Sequence, residues 1–151
     1  MNITRGFAVA VVAACFASAA STLQASDTMK EIVGSYLAIH AQLATDKVDG
    51  IKASAAALVA RAETLGEAGT AMAKAAKTVG DAPDLTTARD AFGGLSDAVV
   101  AAAKAEGWKD LGDVKLAYCP MARRSWLQKD EKIRNPYYGK TMLECGEFKK
   151  P

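Results

Sequence analysis

Between residues 27 and 106 the apolar side chains recur at steps of three and four, with alanine filling many of those positions. Met29, Ile32, Val33, Tyr36, Leu37, His40 and Leu43 form one such stripe. Val48, Ile51, Ala55, Leu58, Val59, Ala62 and Leu65 form a second after the break TDKVDG. A spacing near 3.6 puts each set on one face of a helix. Met72, Ala75, Ala76 and Val79 make a thinner third face beyond GEAG. Leu85, Ala88, Phe92, Leu95, Val99 and Ala102 make the clearest one. Asp27 is placed to cap the first helix, and Pro83-Asp84 suit the entrance of the fourth. Proline lacks only an N–H that a first turn leaves unused, and an aspartate can cap the others. Gly93-Gly94 costs the last helix about 1 kcal/mol per glycine relative to alanine, so the pair marks a bend or a close contact.

Amphipathic helices on short connections form an antiparallel bundle. The expected fold class is therefore all-α: a bundle of four helices over 26–106. Residues 107–151 form an irregular or β-hairpin cap in the same domain. A bundle alone licenses no function.

The first 25 residues belong to a different category. Arg5, the run GFAVAVVAACFASAA and the small, polar STLQAS have the layout of a secretory signal, with cleavage after Ala25 or slightly earlier. The run is short and alanine-rich for a membrane span, so the mature chain is expected to have none. The expected location is periplasmic or secreted. VAAC at 12–15 resembles a lipobox that would anchor the chain through Cys15. The nearby Arg5 and the apolar continuation through Phe16 argue against that anchor.

Charge separates the two regions. Residues 27–106 hold 8 Lys/Arg and 11 Asp/Glu, whereas 107–151 hold 10 and 6. The whole chain carries only +2, which gives no reason to expect nucleic acid as a partner.

The tail also holds most of the large aromatic residues and both cysteines of the mature chain, Cys119 and Cys145. VKLAYC alternates as a short strand does, TMLECGEF is a second strand candidate, and RNPYYG is a turn signal between them. If those pieces pair, the cysteines approach. Two chemistries are then open. In an oxidising compartment two cysteines form a disulfide by default, and closing a loop of this length stabilises a domain by about 3 kcal/mol. Met121 and Met142 are then core filler. In the other reading, Cys119-Pro120-Met121 and Met142-Leu143-Glu144-Cys145 are paired thiol and thioether donors. Such soft sulfur selects Cu(I) over hard cations. Zinc fits less well, because methionine is a poor zinc ligand and the chain has one histidine. That histidine, His40, is a core residue of the first stripe or a further ligand.

Arg123, Arg124, Trp126, Tyr137 and Tyr138 offer a partner surface, or else a solvated basic face and the tail's own core. Catalysis is not expected. There is no G-x-S-x-G, no Gly-rich phosphate loop, no H-E-x-x-H and no C-x-x-C.

YCPMA, Trp126-Leu127 and EKIRNPYYGKTMLECGE together resemble the signature of a domain-of-unknown-function family. That family is similar to the C-terminal domain attached to some CusB-type periplasmic adaptors of heavy-metal efflux pumps. IVGSYLAIHAQLATD and ARDAFGGLSDAVVAAAKA resemble its helices, so the likeness spans nearly all of the mature chain. The resemblance implies a helical bundle with a cysteine-bearing cap, copper or other heavy-metal handling, and a periplasmic efflux component as partner. YCPM is also similar to the core of small metal-binding motifs on copper pumps. Carried over by position, Cys119, Met121 and Cys145 are the implied ligands, with Met142 a weaker fourth. Those pump motifs have a histidine after the methionine, where this chain has Ala122. The adaptor's hairpin and barrel segments are absent from this sequence.

Overall fold

The computed structural model describes residues 13–108 and 111–150, with side chains described from Ser26 onward. The expected leader, with Cys15 and its cleavage point, lies outside the described residues apart from the helical backbone of 13–25. Four α-helices come first: α1 Ala13–Ala44, α2 Ile51–Glu63, α3 Thr70–Gly80 and α4 Leu85–Ala105. Three strands follow: β1 Lys115–Cys119, β2 Arg124–Gln128 and β3 Glu147–Lys149. Among the described residues no helix is long and apolar enough to cross a membrane.

The four expected helices are present, but the all-α class is overturned. The tail builds a three-stranded antiparallel sheet in the order β2-β1-β3, giving a mixed α and β architecture. β1 coincides with the alternating VKLAYC. β2 was missed because Trp126, Leu127 and Gln128 are all fully buried. Successive strand residues point to opposite faces, so a strand covered on both loses its alternation. Only the end of TMLECGEF joins the sheet, because the chain first turns. Gly139–Thr141 form a 3-10 turn, and the Cys145 N–H donates to the Met142 carbonyl at 3.0 Å.

Consecutive helices pack against one another, and β2 lies on α4 and touches α1. The stripes largely become the core: Ile32, Tyr36, Leu43, Leu58, Phe92, Leu95 and Val99 are fully buried. Ile39 joins them, while Val48 is 44% exposed. Asp27 does not cap α1, which continues through it, and instead pairs with Lys30 at 3.2 Å. Asp84 does cap α4, accepting the Thr87 N–H at 2.8 Å. Gly93 marks a close contact: a Cβ there would fall 2.9 Å from the Arg124 guanidinium on β2.

The sheet is fastened to the bundle by polar groups and stacked rings. β2 is an edge strand, and an uncovered edge exposes unpaired backbone groups. Its Leu127 N–H donates to the Tyr36 hydroxyl at 3.1 Å, and its Ser125 carbonyl accepts from Ser96 at 2.8 Å and Tyr137 at 2.9 Å. Tyr36 and Ser96 are themselves hydrogen-bonded at 2.6 Å. The Tyr36 ring stacks on Phe92 at 5.0 Å, Phe92 meets Tyr137 at 5.9 Å, and Tyr137 meets Trp126 edge-on at 5.9 Å. An aromatic row therefore runs from α1 through α4 into the tail.

Candidate functional site

Cys119 ends β1, and Cys145 closes the turn that leads into β3. Antiparallel pairing of Tyr118 with Glu147 brings these positions together. The two sulfurs stand 3.1 Å apart as free thiols, Cys119 fully buried and Cys145 half-buried. Gly146 makes the approach possible. Its φ is 145°, a backbone state that L side chains rarely adopt, and a Cβ there would meet the Trp126 ring at 2.8 Å and the Tyr118 carbonyl at 3.0 Å.

The Cys119 sulfur sits among donors. The CPMA bend curls its amides back, and the Ala122 N–H donates to Cys119 Sγ at 3.4 Å. Burial pushes the Cys119 thiol up, but the Ala122 amide, the Cys145 thiol, the Met121 amide and the Asn135 side chain together outweigh it. The result is a thiol held below its usual range. Cys145 moves the other way, raised first by its hydrogen bond with Cys119 and then by burial. Donors to sulfur favour the charged form, and the Ala122 N–H is directed at Cys119.

Asn135 organises this nest, and sequence reasoning read it only as part of a turn. Its side chain is fully buried. Its Nδ2 donates to the Cys145 carbonyl at 2.7 Å, and its Oδ1 accepts from Tyr137 N–H at 2.8 Å and Tyr138 N–H at 3.2 Å. Its own N–H reaches the Leu143 carbonyl at 2.7 Å. Gln128, also fully buried, does the same for the preceding loop. It accepts from Trp126 Nε1 at 2.9 Å and Arg134 N–H at 3.1 Å, and donates to the Lys132 carbonyl at 2.7 Å. An Asn-Pro dipeptide signals a turn, but nothing local signals that its amide will be buried.

The other expected ligands are placed less centrally. Met121 stands 63% exposed in the bend between β1 and β2. Met142 is half-buried at the end of the 3-10 turn. His40 is buried, and its Nε2–H donates to the Arg134 carbonyl at 2.8 Å. That bond joins α1 to the tail and leaves His40 a fastening rather than a sulfur neighbour. Burial lowers its pKa, so the ring is neutral at pH 7. Among the described residues no group of three or more His, Cys, Asp or Glu is gathered to hold a metal ion.

The expected partner surface is partly withdrawn. Trp126 lies wholly in the core and has nothing to offer a partner. Arg124 bonds Asp97 at 2.7 Å, while Arg123 is exposed with a φ of 52°. Arg124, Tyr137 and Tyr138, with Arg89, Asp90 and Ala122, line a cleft of about 400 Å³ beside the CPMA bend. Arg89 at its wall is already committed, to the carbonyls of Pro136 and Leu43 at 3.0 Å each and to Asp46.

No protein-family model, curated protein or solved structure matches this chain.

Proposed function

We propose that the protein is an exported, non-enzymatic binding protein for a soft metal ion of the Cu(I) type, held between Cys119 and Cys145. It would buffer that ion or pass it to a periplasmic heavy-metal efflux component, in keeping with the resemblance of YCPM, NPYYG and MLECG. The observation that supports this reading is the donor nest around Cys119, 3.1 Å from a second thiol. A disulfide sulfur is neutral and gains little from such donors, whereas a thiolate ligand gains much. The donor set fits the ion. Two thiols with thioethers nearby in sequence suit Cu(I), and zinc would call for further nitrogen, oxygen or thiolate ligands. Met121, exposed beside Cys119, is the thioether free to turn toward an ion. His40 is left out of the ligand set because its Nε2 is already engaged.

X-ray absorption at the copper edge of the reduced, Cu(I)-loaded protein tests the ligand set. The expected shell is sulfur alone, shrinking on Met121→Leu if the thioether contributes. A shell dominated by nitrogen or oxygen contradicts the proposal.

The short sulfur separation also favours a second reading, an interaction module clasped by a Cys119–Cys145 disulfide. Thiol titration of protein taken directly from its native compartment separates the two. Free thiols support the metal site, and a complete bridge that withstands mild reductant supports the clasp.

A further inference from the structure

The two sulfurs of this site differ in access, and that difference assigns them different roles in redox chemistry. Cys119 is fully buried, whereas Cys145 is half-buried. Cys119 Sγ receives the Ala122 N–H at 3.4 Å. Cys145 instead has its backbone held, by Asn135 at its carbonyl and by Met142 at its N–H. We infer that the pair is a reversible thiol–disulfide exchange site, in which Cys145 is the sulfur attacked by an external thiol and Cys119 is the sulfur that leaves. The inference rests on the same thiol pair as the proposed function, but on no metal.

The step balances without a further reagent. The thiolate of an external thiol attacks Cys145 Sγ of the bridged form. A new S–S bond joins it to Cys145, the Cys119–Cys145 bond breaks, and its electron pair goes to Cys119 Sγ. A second external thiol then attacks the mixed disulfide, releasing the oxidised external disulfide and the Cys145 thiolate. The protein gains two electrons and two protons, and two external thiols are oxidised to one disulfide. Run backward, an external disulfide closes the bridge. Exchange is fastest when the attacked sulfur is accessible and the leaving sulfur is stabilised as a thiolate. The access falls to Cys145 and the Ala122 N–H to Cys119, so the two requirements are met by different sulfurs. Closing the bridge removes both thiolates, so the redox state of the compartment would gate metal uptake.

The test uses the oxidised protein in excess chelator, so that a failure of metal binding cannot affect it. Reduced glutathione is added, the reaction is stopped in acid, and the mixed disulfide is located by peptide mass. The glutathione adduct is expected on Cys145, in roughly tenfold excess or more over Cys119, which reacts only after local opening. The Cys119→Ser variant has no bridge to open, so its Cys145 adduct is made with oxidised glutathione instead, and it should persist because the sulfur that would expel it is gone. Repeating the reaction with a thiol carried on a large polyethylene glycol distinguishes the source. Reaction with both thiols supports a protein-borne reductant, and reaction with glutathione alone supports a small one. An adduct mainly on Cys119 overturns the assignment. So does a bridge that glutathione reduces only in denaturant, or one that excess oxidised glutathione never forms.

Discussion

The helical bundle and the tail are held together by different means. The bundle spreads its stability over many small apolar contacts, with Ala55, Ala62, Ala76 and Ala103 buried beside a few large residues. The tail concentrates it in a few nodes: Trp126 among aromatic rings, Asn135 and Gln128 with their buried amides, and the β2 edge bonded to Tyr36 and Ser96. A dispersed core tolerates the loss of any one contact, whereas a nodal structure loses several bonds at once. The thiol pair sits in the nodal region, so its geometry depends on few residues, and the bundle acts mainly as the surface to which they are fixed.

Substitutions that remove a node should sharpen that contrast most. Trp126→Ala empties a fully buried site against Tyr137, and chemical denaturation should show a loss of about 3–5 kcal/mol. Asn135→Ala leaves the Cys145 carbonyl and the Tyr137 N–H without their partner, at about 2–3 kcal/mol. The same variant should speed alkylation of Cys119, because the turn that covers it loosens. Unchanged alkylation would break the link between node and site.

His40 joins the two regions and should carry a pH signature. Its folded-state pKa lies below the ordinary 6.5, so the unfolded chain binds the proton more readily. Stability is therefore full above about pH 6.5 and is lost as pH falls from there through the folded pKa, by no more than ~1.4 kcal/mol per pH unit. Denaturation midpoints measured between pH 8 and 5 should show this slope in the wild type and not in His40→Gln. The smallest effect belongs to the bundle alone. Gly94 is exposed in α4 with open space at its Cβ position, and Gly94→Ala should stabilise by ~0.5–1 kcal/mol in a thermal melt. A larger change in either direction would show that the bundle also has nodes.

The same contrast sets how much could be read from the sequence. Helical stripes are local and periodic, so α2, α3, α4 and most buried residues of α1 follow from spacing. Asp84 was legible as a cap because capping is decided within three residues. β1 was legible because only one alternation was needed. β2 was not, since Trp126, Leu127 and Gln128 are covered on both faces by elements distant in sequence. That hidden strand is why an all-α class was expected. The cysteines could be named but not placed, because their approach requires β3 to return beside β1. Asn135 was overlooked for the same reason: its burial is a property of the assembled tail. Trp126 was open between a partner surface and the tail's own core, because a large aromatic in a polar stretch looks the same before and after the sheet closes over it; its burial settles it as core.

The most direct test of the central claim is a competition titration of the reduced protein for Cu(I) against a strong chromogenic chelator, beside the Cys119→Ser/Cys145→Ser double variant. One tightly held ion per chain, lost in a double variant that keeps its helical spectrum, is the predicted result. Equal affinity in the two proteins, or no competition by either, would contradict a metal-binding role for the paired thiols.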